Sequence, residues 1–438
     1  MSPCRPLTAL EWLVLGYLFL IPIGGGALPA NMEWADIMFV GVCVALVATQ
    51  RRIAPTLHPL DVLVLVYLAG SLLSFRRSPD LLHSGVEFVK QASLGLVYLV
   101  FSLLGRRRET VARIVCWFAW AAVALAAASL LALGVYLVTG HEIGSFLSVA
   151  PIPGAGHVAR IKGMLLSPGF FCNYLTVALP FLLLLPRGPV HAHTTGWWRM
   201  GPLVVVLAAM GTLTASVAGF LAAGLAAIWP QWAASRRLRL ARAGLATLAG
   251  VVLVVVNLMV AVTVRDVSWA TDQNLRLPDP GHGYALQEEG AGAERLTVSV
   301  SYNPISYFLL KQVAVRAFWR EPLTGVGLGA FHAETERAYR QGLIHAPYRR
   351  ADPHAELLGR LAETGVVGGL TLLLLWWGIA RFGCVLLRGK PASAWASSAI
   401  LAGLFGVLVN SLNADVMNFR FVWVGVGLLR GQLERPAS

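Results

Sequence analysis

Charge is scarce in this sequence: charged residues make up 13% of 438 positions, against 57% hydrophobic. A soluble core is the wrong picture for such a composition, and apolar runs recur along almost the whole chain, so lipid is the solvent for most of it. Acidic residues are the scarcer sign, 22 against 35 basic, giving a formal net charge of +13. The basic excess falls mostly in short loops, which argues against a nucleic-acid partner. Cysteine is sparse as well. Cys4, Cys43, Cys116, Cys172 and Cys384 are scattered in or near apolar segments with no CxxC pair or metal-ligand spacing, so they read as structural and imply no disulfide or structural metal. A Walker-type phosphate loop is missing. The first apolar segment opens with Glu11 and Trp12, closes at Gly24-Gly25-Gly26 and lacks a good small-residue cleavage site, so it reads as a retained helix.

What is present is a series of stretches near the length of about 20 residues needed to cross the hydrocarbon layer. Twelve are expected, over 8–23, 32–49, 59–75, 85–104, 112–138, 167–185, 200–213, 214–230, 243–264, 356–380, 393–411 and 417–433. The seventh and eighth share one apolar run, with a turn at Thr212 to Ser216. Arg51 and Arg52, Arg106 to Arg108, Arg113, Arg187, Arg199, Arg236, Arg237, Arg239, Arg242, Arg388 and Lys390 all fall on even-numbered connections. The positive-inside rule puts those connections, and both termini, in the cytoplasm. The chain then divides into 1–264 with nine spans and an external loop at 140–166, a polar external segment at 265–353, and 354–438 with three more spans. Within the external segment, Asp266 to Ala293 reads as irregular, Asn303 to Arg320 as an amphipathic helix carrying Ile305, Phe308, Leu309, Val313 and Phe318, and Ala330 to Leu343 as a second helix.

Four constellations carry candidate chemistry. Arg160-Ile161-Lys162-Gly163, followed by Pro168 and a helix containing Asn173 and Pro180, offers a rigid guanidinium fork and a point charge suited to phosphate. The plain alternative is that both cations anchor a helix end at lipid headgroups. Arg265 stands at the outer end of the ninth expected span, where an arginine ordinarily snorkels to lipid phosphate. Pro322-Leu323-Thr324-Gly325-Val326-Gly327-Leu328-Gly329-Ala330-Phe331 follows the helix containing Arg316; its glycines suit either close backbone approach to a ligand or, the preferred reading, a tight turn between two helices. His354-Ala355-Glu356-Leu357 continues to Glu363-Thr364-Gly365 and Gly368, and a histidine at a helix start is usually structural, though an imidazole titrating near neutrality suits proton transfer. His332 and His345 stand outside that pattern.

Together these motifs resemble the bacterial O-antigen ligase and polymerase superfamily: an Arg with a nearby Gly before a membrane helix ending in Leu-Pro, a Pro-Leu-x-Gly-x-Gly-x-Gly-x-Phe string, and a His followed by Glu-x-Gly-x-x-Gly. Three positions depart from the pattern. Gly169 replaces the Asn of a Pro-Asn step, Val217 stands where relatives often carry Ser-Arg-Gly, and Ala355 replaces a frequent Asn. The resemblance implies an all-α polytopic membrane protein of the bacterial inner membrane with its active site facing the periplasm. It implies an O-antigen ligase in lipopolysaccharide biosynthesis, an inverting glycosyltransferase that moves a glycan from undecaprenyl diphosphate to a lipid A-core sugar hydroxyl, without cofactor or metal. Arg160 and Arg265, with Lys162 and Arg316 in support, are expected to hold the diphosphate while His354 assists the acceptor hydroxyl; Gly163, Pro168, Gly325, Gly327, Gly329, Glu363 and Gly365 are expected to shape the site. An O-antigen polymerase or protein O-oligosaccharyltransferase would use the same carrier. A polytopic transporter is the alternative of another class, disfavoured by the lack of repeated broken helices and the sparse ionisable residues within spans, Lys90 and Arg360 apart.

Overall fold

The computed structural model describes residues 7–24, 33–49, 57–152, 156–185, 200–228, 262–270, 295–302, 306–344, 349–389 and 394–434. These form α1 Ala9–Leu20, α2 Trp34–Thr49, α3 Pro59–Leu73, α4 Leu81–Leu104, α5 Arg108–Thr139, β1 Leu147–Ile152, β2 Gly156–Ile161, α6 Pro168–Leu184, α7 Gly201–Met210 and α8 Val217–Ile228. There follow β3 Val262–Ala270, β4 Arg295–Tyr302, α9 Ser306–Arg320, α10 Phe331–Arg340, α11 Glu356–Gly389, α12 Ala394–Asn410 and α13 Arg420–Leu433. Short polar signals set the helix starts. The Thr8 hydroxyl and Glu11 carboxylate form a capping box on α1, Asp80 accepts from the His83 N–H at 3.0 Å to open α4, and Ser167 accepts from Phe170 N–H at 3.2 Å ahead of Pro168 at the first turn of α6.

The chain is mainly helical, and among the described residues four helical segments are long and apolar enough to cross a membrane: Pro59–Arg77, Leu81–Leu104, Arg108–Thr139 and Glu356–Leu387. Seven of the other expected spans coincide with shorter helices, α1, α2, α6, α7, α8, α12 and α13. The ninth, 243–264, lies outside the described residues as far as 261, and its last three residues open β3 instead of ending a helix. Arg265 therefore stands in a strand, not at a helix end. The β-branched and aromatic residues Val262, Val264, Val267 and Trp269 face Tyr302, Val300, Val298 and Leu296 across the antiparallel pair, a pattern suited to a pleated ribbon. The register is irregular between Val264 and Asp266, so Arg265 occupies a bulge. The stretch expected to be irregular from Asp266 also begins in this strand, and the external loop 140–166 contains the β1–β2 hairpin. The arginine-rich 236–242 stretch lies outside the described residues.

Burial sorts the helices. In α6, 14 of 17 residues are buried, so this helix is enclosed by protein rather than facing the surroundings. Elsewhere large apolar side chains point outward in helical stripes, as with Val40, Val44 and Val47 on α2 and Leu370, Leu373, Leu374 and Trp377 on α11. In water such stripes would be an aggregation hazard; against acyl chains they are the ordinary outer surface of a membrane helix.

α13 is held by charge at both ends and by close backbone approach between them. Arg420 pairs with Glu33 and, at 2.8 Å, with Asp36; Arg430 pairs with Asp61 at 2.8 Å and Glu434 at 2.7 Å. Between those clamps Gly427 and Gly431 lie one turn apart against α4, where a Cβ on Gly431 would fall 2.2 Å from the Ser102 carbonyl oxygen. Small residues at this spacing let membrane helices pack backbone to backbone. Gly431→Ala should therefore lower stability by about 1–3 kcal/mol, read as an earlier thermal unfolding midpoint in detergent. Gly134→Ala on α5, where an added Cβ meets nothing within 4 Å, should be neutral or stabilising.

Candidate functional site

Arg160 is placed by the hairpin and by the turn joining α7 to α8. It is the penultimate residue of β2, the next N–H, of Ile161, donates to the Gly211 carbonyl at 2.9 Å, and Arg160 Nε donates to the Thr212 carbonyl at 3.2 Å. That contact uses one of five donors, and the half-buried guanidinium has no carboxylate within 4 Å among the described residues. Lys162 is half-buried beside it and is fixed through its backbone, whose N–H donates to the Phe146 carbonyl at 2.9 Å. Gly163 then turns at φ +60°, where a Cβ would sit 2.8 Å from the Phe171 ring, so a side chain is excluded both by conformation and by space.

The α7–α8 turn leads to a polar chain through the bundle. Asn173, buried in α6, donates to the Gly169 carbonyl at 2.9 Å and to Ser216 Oγ at 3.2 Å. Its carbonyl oxygen accepts from Asn410 Nδ2 at 2.8 Å, and Asn410 Oδ1 accepts from the Gly219 N–H at 3.0 Å. An amide thus lies directly over position 169, contributed from one helical turn further along α6. Val217 opens α8 with no charge to contribute.

Asn410 ends α12, and the residues after it hold the other half of the site. The Ser411 carbonyl accepts from the Glu356 N–H at 2.8 Å, Glu356 Oε2 accepts from the Met417 N–H at 3.0 Å, and Asn413 Oδ1 accepts from Lys311 Nζ at 3.1 Å. Glu356 is buried at the start of α11, with Oε1 3.0 Å from Arg360 Nε. His354 precedes it at φ +49°, a left-handed backbone that a non-glycine residue adopts at a cost when the surroundings impose it. Burial holds the His354 imidazole below its ordinary pKa; the Asp352 carboxylate opposes that shift and the Lys311 ammonium adds to it. Asp415, from the same post-α12 segment, lies close to the first turn of α11, its Oδ1 3.6 Å from where a Cβ on Gly359 would be. Burial and the carboxylates of Glu356, Asp352 and Glu363 push the Asp415 carboxyl well above the usual carboxylate range. Lys311, Asn413 and Asp415 were invisible to motif reading: each is a single polar residue in a turn or on a helix whose neighbours give no pattern.

The glycine string and the Glu-Thr-Gly sequence prove to be one unit. Gly327 N–H donates to the Glu363 carbonyl at 3.0 Å, Val326 N–H to the Ala362 carbonyl at 2.9 Å, and Val366 N–H to the Pro322 carbonyl at 2.8 Å. α11 kinks at Gly365, φ +65°, where a Cβ would sit 2.3 Å from the Leu323 carbonyl oxygen. Gly325, Gly327 and Gly329 all have positive φ, and the Glu363 side chain accepts from the Phe331 N–H at 3.3 Å. The glycines therefore serve a turn docked on the kink, and their backbone donors at 325 and 327 are taken by protein carbonyls.

Arg316 is on the exposed face of α9, whereas Lys311 is on the face packed against α11, and of Arg265 only the strand position is described. His332 is exposed on α10, its ring 6.2 Å from that of His83; His345 lies outside the described residues. Among the described residues no three His, Cys, Asp or Glu side chains converge as metal ligands. No protein-family model matches the chain, and no curated protein matches it.

The His354 environment has a pH consequence. The folded state disfavours the imidazolium relative to an unfolded chain titrating near 6.5, so this group costs stability as pH falls below about 6.5 and nothing well above it. Unfolding midpoints followed from pH 7.5 to about 5 should fall more steeply for the wild type than for His354→Gln. Parallel profiles would place the imidazole in an unperturbed setting.

Proposed function

We propose that this chain is a multi-pass inner-membrane glycosyltransferase of the O-antigen ligase kind, with twelve spans, both termini cytoplasmic and its site on the periplasmic side. One observation carries the reading. Arg160 and His354, the residues of the two most chemically suggestive motifs, connect from opposite sides to consecutive residues at the end of α12, Arg160 through the Thr212–Ser216 turn and Asn173 to Asn410, and His354 through Glu356 to Ser411. A chain of a few residues spans only about 3.3–3.6 Å per residue, so a phosphate-binding fork and a neutral imidazole share one end of the bundle.

The donor in this reading is a glycan on undecaprenyl diphosphate and the acceptor a lipid A-core sugar hydroxyl. His354 accepts the hydroxyl proton, for which an imidazole kept neutral is suited. The oxygen then attacks the anomeric carbon from the face opposite the diphosphate, the glycosidic C–O bond to the carrier breaks, and its electron pair leaves on the phosphate oxygen. Configuration inverts. The remaining donors of Arg160, with Lys162 beside it and Arg265 and Arg316 contributed by the external segment, stabilise the charge that builds on the leaving group. Neither cofactor nor metal is required by this scheme.

Purified protein supplied with lipid-linked glycan and rough lipopolysaccharide, without nucleotide, should form ligated product, and a chelator should not abolish it. In that assay His354→Ala should cost about 10²–10⁴ in turnover while carrier binding persists, with His332→Ala far milder. Arg160→Lys should be nearly as damaging as Arg160→Ala, because charge without the planar fork loses bidentate contact. Lack of product from a folded, carrier-bound protein would remove the transferase reading, and rescue by lysine would reduce Arg160 to a point charge.

A further inference from the structure

Three cations are buried among the described residues: Lys311, Arg360 and Arg430. Arg360 pairs with Glu356, and Arg430 with Asp61 and Glu434. Lys311 is 6% exposed, yet no carboxylate lies within 4 Å of it among the described residues, and its one hydrogen bond is to the neutral Asn413 side chain at 3.1 Å. An ammonium removed from water without a counter-charge is strongly unfavourable. It also has three donors, of which Asn413 takes one. Such a charge is retained where something else supplies the anion.

Its position says which anion. α9 turns an apolar face, Leu310, Val313, Ala314 and Ala317, onto α11, and Lys311 extends from that same face rather than from the outward one with Phe308, Val315 and Trp319. It thereby meets, at Asn413, the stretch that begins with the Asn410 and Ser411 contacts, and its ammonium lies near enough to disfavour an imidazolium at His354. Asp352, which acts on the His354 imidazole, and Asp415 do not come within 4 Å of the Lys311 ammonium. We propose that Lys311 contacts a phosphate group of the bound ligand directly, its ammonium completing an anion site with Asn413 as the group that aims it. This rests on the transferase reading for the identity of the ligand as a lipid diphosphate; the need for an anion does not.

The test uses the full chain in nanodiscs, with inorganic pyrophosphate and undecaprenyl diphosphate as separate probes, for wild type, Lys311→Met and Lys311→Arg. Binding of at least one probe should weaken about 10-fold or more in Lys311→Met, a charge-assisted contact being lost, and be largely kept in Lys311→Arg. Without ligand, Lys311→Met should unfold at the wild-type temperature or higher, because an unpaired buried charge has been removed. Saturating probe should raise the wild-type midpoint and leave the Met variant unmoved. Pyrophosphate binding marks a site for the phosphate itself; binding of the lipid alone marks one that needs the membrane anchor as well. The proposal is overturned if neither probe binds, if Lys311→Met binds as wild type does, or if that variant is less stable or fails to fold, which would make the lysine structural. Lys311-dependent binding with no glycan transfer would sink the transferase reading and leave the anion site. Transfer undiminished in Lys311→Met would do the reverse.

Discussion

The geometry of the candidate site depends on hydrogen-bond satisfaction where α12 ends. In a medium with little water, each backbone and amide group left over at a helix terminus must find a protein partner or cost several kcal/mol. Asn410 meets this by bonding Asn173 and the Gly219 N–H, and the Ser411 carbonyl by taking the Glu356 N–H. Those partners belong to α6, α8 and α11, so a few residues set the relative placement of the helices that carry or flank Arg160 and His354. A change in any one bond leaves a buried polar group unpaired, which makes the arrangement all-or-none rather than adjustable.

A second layer of constraint holds that end in place. Arg360, buried within α11, pairs with Glu356 and stands 5.2 Å over the Tyr67 ring of α3. Buried pairs of this kind add little net stability compared with apolar packing, but breaking one strands a charge. Their effect here is to fix rotation and register: α11 is held by Arg360 on one side and by the glycine turn docked at Gly365 on another. His354, two residues before the helix begins, inherits that rigidity together with a strained backbone. Preorganisation of this sort suits a group whose task is to meet a hydroxyl at a set distance and angle.

Much of the architecture was legible in the sequence because lipid imposes simple arithmetic. Apolar runs of sufficient length and the Thr212 to Ser216 turn have local causes, and most helices lie where those signals put them. The Arg160 and His354 motifs were legible for the same reason, being compact strings. The strand at Val262–Ala270 was not, since β-branched residues such as Val262 and Val264 suit a membrane helix as well as a ribbon and only the partner strand decides between them.

By itself the sequence indicated apolar helices able to cross a membrane, the positions of most helices and two of the residues on which the proposed chemistry rests. Tertiary structure decided which cations share their end of the bundle. α9 has apolar residues on two faces, Phe308, Val315 and Trp319 on one, Leu310, Val313 and Ala314 on the other, so periodicity alone cannot say which is buried. Packing against α11 chose the smaller residues, which allow close approach. That choice carried Lys311 inward and left Arg316 outside. The union of the glycine string with the α11 kink was decided in the same way, by backbone bonds between segments some forty residues apart that no local pattern encodes.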